Sequence, residues 1–301
     1  MNKIYSTLLS YKANLDDEGK TAEQILKREF AISSGLFTEL KLGGKIMIND
    51  IPCRSVDKVR ASDVVSADIE ENIVSDIPEY DLEPFILFED AHIVVAVKPA
   101  GLSMHPCRGD YEKTFAGAII RHWRKNGENH NFHAVTRLDK DTHGICVIAK
   151  NRYSHSVLSS QSGTIEKQYA AIVHGRITNS GVIDAPIIRD ENSIIKRKVD
   201  KNGKKSVTEF NVVESGINYS LLKIRLLTGR THQIRVHFSH IGHPLYGDWL
   251  YGKGDEEREL INRQALSACY IKFNHPISKE VLCFSIDLPD DMKSLLLKIK
   301  K

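Results

Sequence analysis

Two stretches of the chain carry side chains whose types and spacing could do chemistry together. The first is AVTRLDKDTHGICVIAKN (134–151), in which charged and turn-forming residues from Arg137 to Gly144 run straight into an apolar, strand-like segment, Gly144 to Ala149. A loop carboxylate placed there is held rigidly at a sheet edge, which makes Asp139 the candidate catalytic group. The second is LLKIRLLTGRTHQIRVHFSHIGHPLYGDWLYG (221–252). An apolar strand over 221–227 turns at Thr228-Gly229-Arg230, and a helix is expected from Thr231 to about Ile241, with Gly242 as its stop. Ile234, Phe238 and Ile241 at i, i+4 and i+7 predict its buried stripe. Arg235 flanks that stripe, where a guanidinium is costly to bury unless a carboxylate meets it. Asp139 is the expected partner. Taken alone, Arg137, Asp139, Lys140 and Asp141 read as a solvated turn whose charges pair for little; the rest of the chain reverses that reading.

Such a pair needs elements to hold it. FILFEDAHIVVAVKPAGLSMHP (85–106) predicts a strand, HIVVAV, that breaks at Lys98-Pro99-Ala100-Gly101, with Lys98 and His105 facing a common cleft. Residues 114–125 place Phe115, Ile119 and Trp123 on one helical face. Asn151 opens a helix over 151–161, and residues 166–177 form a strand that carries Tyr169. A tyrosine in a strand is ordinarily half-buried core. Strand-like runs follow at 207–214, 265–273 and 281–289, then a short Lys/Leu helix. Toward the start, short helices over 21–29 and 36–42 precede a hairpin that turns at Asn49-Asp50. The acidic stretch 72–84 with Pro78 and Pro84 reads as a linker, so the boundary falls near residue 80.

Composition sets the class. With 301 residues, 41% hydrophobic and 27% charged, the chain is long enough for one large core or two unequal ones. No run of apolar residues is long enough to span a membrane and the start does not build a signal peptide, so a cytoplasmic protein is expected. Five scattered cysteines without a C-x-x-C pair suggest neither a disulfide framework nor a zinc site. His232, His237, His240 and His243 invite a metal reading, but His232 and His237 are off a common helical face and no H-E-x-x-H pattern is present, so no metal is expected. The net charge of +3 is uneven. Residues 14–71 hold eight Lys/Arg and twelve Asp/Glu, a balance of −4 that leaves +7 for the rest, in keeping with an anionic polymer as partner. The densest positive patch is Lys196, Arg197, Lys198, Lys201, Lys204 and Lys205, which reads equally as a phosphate clamp or a solvated hairpin.

RLDKDTHGICVIAK resembles the first catalytic motif, HRLDxxTSG, of the RluA family of RNA pseudouridine synthases, with Thr136 where His is usual and His143 where Ser is usual. Residues 221–252 are similar to that family's TGRTHQIRVHxxxxGxPLxGDxxYG signature, 85–106 to its K-P-A-G-L segment, and Lys167-Gln168-Tyr169 to its K-x-Y motif. The resemblance implies that Asp139 is catalytic, Arg235 its ion-pair partner, Tyr169 a cover for one face of the uracil that helps remove the C5 proton, and Arg137 the residue that intrudes where the target base leaves its stack. Arg230, Lys98, Lys196, Arg197 and Lys198 are the expected RNA contacts. It also implies an α+β fold: a large mixed, mainly antiparallel sheet over 81–301, preceded by a small module over 1–80 similar to the RNA-binding domain of ribosomal protein S-four type.

The implied reaction is isomerisation of uridine in structured RNA, with ribosomal RNA ahead of transfer RNA, no cofactor, and a monomer as the default. One carboxylate would suffice. A hydrolysing glycosidase needs a pair, whereas an isomerase keeps its leaving group. The competing expectation is a non-catalytic RNA-binding or RNA-folding protein on the same scaffold.

Overall fold

The computed structural model describes residues 7–71, 73–161 and 163–300. The leading module is a four-stranded antiparallel sheet in the order β1 (Leu8–Lys12), β4 (Val64–Asp68), β2 (Ile46–Ile48), β3 (Ile51–Pro52), with α1 (Ala22–Phe30) and α2 (Ser34–Leu42) beside it. Thr21 and Gln24 close a reciprocal capping box at the start of α1. Asn49 and Asp50 both take positive φ, 51° and 62°, as a tight two-residue hairpin between β2 and β3 demands. The apolar faces of α1, α2 and the sheet bury Leu9, Ile25, Leu26, Phe37, Ile46 and Val65 in a core of their own.

The larger part follows in chain order: β5 (Phe85–Glu89), β6 (Ile93–Lys98), α3 (Phe115–Lys125), β7 (His133–Ala134), β8 (His143–Ala149), α4 (Arg152–Ser160), β9 (Glu166–His174), β10 (Gly181–Asp184), β11 (Ile187–Arg189), β12 (Arg197–Val199), β13 (Val207–Ser215), β14 (Tyr219–Leu226), α5 (Gln233–His240), β15 (Leu266–Asn274), β16 (Val281–Ser285) and α6 (Asp290–Ile299). Ten strands form one sheet along β10-β13-β14-β9-β15-β8-β6-β5, with β16 on β15 and β7 on β8. β15 with β8 is its parallel pair; the others run antiparallel. β11 and β12 form a separate hairpin.

Two joints hold the parts together. Tyr153 of α4 is buried in the module's core and donates to Phe30 O at 3.1 Å, while Arg152 meets Glu39 at 2.6 Å. The acidic stretch expected as a linker is strapped along α3, where Arg121 meets Asp81 at 2.7 Å, Arg124 meets Glu79 at 2.6 Å and Lys125 meets Glu83 at 3.1 Å. Among the described residues no helix is long and apolar enough to cross a membrane.

Two sequence expectations shift locally, and one pairing was not anticipated. β1 and β4 pair from opposite ends of the module, a strand pairing with no local signal. α5 begins at Gln233, two residues later than expected, because His232 sits in the left-handed region at φ 57°. Ile241, expected in the buried stripe, is 38% exposed because it lies past the helix end; Ile234 and Phe238 are buried as the spacing predicts.

Candidate active site

The loop that carries Asp139 is tied down at each end. Thr136 is buried and its hydroxyl accepts from Val147 N at 2.9 Å, so this residue anchors the loop's entry to β8. Thr142 N donates to Asp139 O at 3.1 Å, and Gln264 donates to the Thr142 hydroxyl at 3.1 Å. β8 then starts at His143, paired with Ser267 of β15, and Gly144 pairs with Ala268. Gly144 has φ +135°, and a Cβ there would collide with the Ala268 backbone, so only glycine lets the two strands meet this closely. Ala268 also faces Tyr169 on β9, and Tyr169 faces Ile224 on β14. One row across the sheet therefore brings Tyr169 beside the Asp139 loop.

Lys98, expected to face RNA, does not. It is fully buried, and its ammonium donates to Pro99 O, Leu102 O and Lys140 O at 2.8, 2.8 and 2.7 Å. Burial pulls it down to about 8. Three carbonyl acceptors for three N–H protons still fit the charged form at neutral pH. The lysine is a clamp inside the fold: Lys140 O, which also accepts from Gly101 N at 3.0 Å, belongs to the residue after Asp139. His105 packs edge-on against Phe132, ring centroids 4.9 Å apart.

Across the cavity stands Arg235, with only 5% of its side chain exposed. Its Nη1 lies 3.4 Å from Asp139 Oδ2. The partner that makes its burial tolerable is another residue. Asp248, fully buried, accepts from Nε at 2.7 Å and from Nη2 at 2.8 Å in a bidentate pair. Burial opposes the guanidinium charge, but the Asp248 bonds and the charges of Asp248 and Asp139 outweigh it and raise the Arg235 pKa. Asp248 Oδ1 also takes the N–H groups of Leu250 and Tyr251 at 2.9 and 3.0 Å, fixing a turn that lays the Tyr251 ring 5.2 Å from the guanidinium carbon. The expected ion pair is thus one arm of an Asp139–Arg235–Asp248 bridge.

Asp139, 30% exposed, lines a cavity of ≈ 70 Å³ with Arg137, Tyr169, Arg230, His232 and Arg235. Tyr169 is 8% exposed, and burial, with smaller contributions from nearby Cys146 and Asp139, pushes its hydroxyl well above the ordinary tyrosine value. Arg137 is exposed at the mouth. Arg230 is exposed as well and donates from Nε to Lys205 O at 3.2 Å. Lys196 and Lys198 are exposed on the β11–β12 hairpin, outside the cavity, whereas the half-buried Arg197 turns Nη1 back onto Ile195 O and Lys196 O at 3.2 and 3.0 Å. The hairpin touches the site's rim through Arg197 N, which donates to the Tyr251 hydroxyl at 2.9 Å.

The four histidines of this stretch are dispersed. His237 donates from Nε2 to Ala185 O and meets Thr208 Oγ1 with Nδ1, both at 2.9 Å, and His243 donates to His174 O at 2.7 Å. His232 meets the Tyr251 hydroxyl. Among the described residues no three His, Cys, Asp or Glu cluster as metal ligands would.

Sequence reasoning gave Asp248, Tyr251 and Gln233 no role and weighed His232 only as a metal ligand. Gln233 staples the turn before α5 by accepting from Arg230 N at 3.0 Å and Thr228 Oγ1 at 2.9 Å while donating to Val207 O and Thr208 Oγ1 at 3.0 Å. A buried arginine beside a helix stripe was signal enough to ask for a second carboxylate nearby, and Asp248 stands thirteen residues on.

Residues 92–240 match the family described as RNA pseudouridylate synthase. An uncharacterised RNA pseudouridine synthase of Bacillus subtilis is 40% identical over 273 residues, covering 89% of this chain and 95% of that one. Ribosomal large subunit pseudouridine synthase D of Vibrio cholerae is 36% identical over 298 residues, 94% of this chain and 92% of its own. In fold, the human RNA pseudouridylate synthase domain containing 4 superposes with a TM-score of 0.59 over 72% of this chain and 93% of its own, at 23% identity. Matches of that extent, over a stretch that spans both the Asp139 loop and Arg235, leave one conclusion: the chain belongs to the RNA pseudouridylate synthase family and is an RNA pseudouridine synthase, an isomerase.

Proposed function

We propose that this enzyme isomerises particular uridines in large-subunit ribosomal RNA, with Asp139 as the catalytic carboxylate and Arg235 as the residue that orients it. The observation that carries the reading is the single carboxylate at the cavity, 3.4 Å from a buried guanidinium whose other two edges are already satisfied by Asp248. Ribosomal RNA is favoured because relatives matched along nearly their whole length, such as that of Vibrio cholerae, are named for the large ribosomal subunit. An enzyme acting there works in the cytoplasm, and a monomer remains the default.

The reaction breaks the bond between C1′ and N1, forms one between C1′ and C5, removes the proton from C5 and places one on N1. Asp139 engages the ribose carbon or the uracil ring, or steadies a glycal intermediate. Tyr169 serves as a wall for the uracil. Its buried hydroxyl stays protonated at neutral pH, so proton removal from C5 by a phenolate is not the role assigned to it. The target base leaves its stack at a cost of about a few kcal/mol, and Arg137, exposed at the mouth beside Asp139, fills the vacated space. Arg230, Lys196, Arg197 and Lys198 line the approach and meet phosphates. The module over residues 1–80, net acidic over 14–71, is a docking domain of S-four type that contributes little charge to RNA binding.

The decisive experiment uses large-subunit ribosomal RNA from cells lacking this gene, labelled with tritium at C5 of uridine. Wild-type protein releases tritium, and Asp139→Asn releases none above background while binding the RNA with unchanged affinity. Turnover by Asp139→Asn would refute the assignment.

A further inference from the structure

Beside the Asp139–Arg235–Asp248 bridge runs a second chain of contacts that the uridine chemistry above does not use. Arg197 N of the β11–β12 hairpin donates to the Tyr251 hydroxyl oxygen at 2.9 Å, and that hydroxyl lies 2.9 Å from His232 Nδ1. His232 Nε2, on the opposite edge of the ring, is 3.8 Å from Asp139 Oδ2. Because the Tyr251 oxygen already accepts from Arg197, its one proton is available to His232 Nδ1, and a neutral imidazole that accepts on Nδ1 carries its hydrogen on Nε2. Burial lowers the His232 pKa against the pull of Asp139, so the neutral ring prevails at neutral pH.

Two further observations mark His232 as held on purpose. It occupies the left-handed region at φ 57°, where a non-glycine residue persists only when its surroundings over-determine it. It also caps α5 without any side-chain bond to the helix, so the imidazole is spent elsewhere. Its ring stands edge-on to Tyr251, centroids 5.6 Å apart at 77°.

We propose that His232 is a second positioning residue for Asp139, presenting Nε2–H to the carboxylate oxygen that Arg235 also faces, and that the Tyr251 hydroxyl sets its orientation and tautomer. The 3.8 Å separation is beyond a hydrogen bond, and an approach of about 1 Å makes one, the kind of tightening that catalytic contacts undergo when a site is engaged. Since the hydroxyl is itself held by the hairpin's backbone, the hairpin that meets RNA is mechanically joined to the carboxylate that does the chemistry.

The inference rests on the assignment of Asp139 above, and the test separates the two. Tyr251→Phe keeps the ring against Arg235 and removes only the hydroxyl; His232→Ala removes the donor; His232→Gln returns an amide N–H near the place of Nε2. On the tritiated RNA, single-turnover rates of Tyr251→Phe and His232→Ala fall about 10- to 100-fold while RNA affinity changes by less than about twofold, as expected when a reacting group is misplaced without loss of binding. The double variant is no slower than the slower single, and His232→Gln is faster than His232→Ala. A wild-type rate in Tyr251→Phe, independent multiplication of the two losses, or a Gln variant as slow as Ala would each overturn the inference. Should Tyr251→Phe fail to fold, the Ala and Gln variants of His232 decide alone. Turnover by Asp139→Asn defeats the underlying assignment; an inert Asp139→Asn beside an unimpaired Tyr251→Phe defeats only the role given to His232.

Discussion

The seat of Arg235 and the β11–β12 hairpin are neighbours joined through Tyr251, yet they use positive charge in opposite ways. Arg235 is buried, forked onto Asp248 and aimed at Asp139, so each of its directions is taken. Lys196 and Lys198 stand in solvent, and the carboxylate nearest Lys198 is Asp190 at 4.0 Å. A charge taken out of water must be fully met or it unfolds its surroundings, which fixes its position to a fraction of an ångström. A charge left in water fixes nothing and can follow a polyanion of any shape. On the function proposed above, precision and reach sit on adjacent elements, and the side-chain charges of one can be altered without touching the backbone contact that joins them.

The sharpest break of this contrast is Asp248→Ala. It strands the Arg235 guanidinium in the core and frees the turn at Leu250 and Tyr251, so a loss of about 3–5 kcal/mol is expected, read by chemical denaturation. Asp139→Asn, at a group that is 30% exposed and 3.4 Å from its partner, loses all turnover at a cost in stability under about 1 kcal/mol. Comparable stability losses in the two variants would mean that Asp139 carries the burial of Arg235 as much as Asp248 does.

That contrast also governs what was legible in the sequence. Asp139 and Arg235 lie in short, dense motifs whose spacing alone places one in a loop before a strand and the other on a helix flank, and the structure puts both at one cavity. The alternating runs spoke only for many strands and few helices; the mainly antiparallel sheet came from the family likeness. The buried arginine asked for a carboxylate, but Asp248 went unassigned because it sits in a turn, where no periodicity tells which way a side chain faces. Lys98 was misread for the related reason that a lysine at a strand exit normally points to water, and the carbonyls of Pro99, Leu102 and Lys140 that receive it come from backbone, which carries no residue-type signal. The β1–β4 pairing was invisible because its halves are some fifty residues apart.

A second buried group sharpens the comparison through pH. His143, where the family likeness leads one to expect Ser, meets Ser267 Oγ at 2.9 Å on the parallel strand pair. Burial, aided by the cations of Arg263 and Lys98 and opposed by Asp291, lowers it from 6.5 to about 4. Above pH 6.5 the folded and unfolded states both hold the ring neutral, and the lowered pKa is without effect. Between 6.5 and 4 only the unfolded state takes the proton, so stability falls as pH falls. His143→Ser should remove about 1–3 kcal/mol of that acid-side loss, since each tenfold weakening of proton binding in the folded state is worth about 1.4 kcal/mol. Parallel stability profiles for the two proteins from pH 7 to about 4 would show that the ring is protonated in place.

The smallest effect on the fold, and the one most specific to recognition, belongs to the hairpin. Lys196→Ala with Lys198→Ala removes two exposed cations that hold no part of the core, so stability should stay within about 0.5 kcal/mol of wild type. Affinity for RNA should fall and, more tellingly, the slope of log affinity against log salt should flatten by about 1.4–1.8, since each phosphate left without its lysine lowers that slope by about 0.7 on single strands and 0.9 on duplex. The rate at saturating RNA should hold, because nothing in the Asp139–Arg235–Asp248 bridge touches either lysine. An unchanged salt slope would make the hairpin a solvated projection and move the search for phosphate contacts to Arg137 and Arg230 at the cavity mouth. A fall in the saturated rate with the slope unchanged would instead show that the hairpin's charges act on the carboxylate through the Arg197 and Tyr251 contact, and the separation of precision from reach would have to be given up.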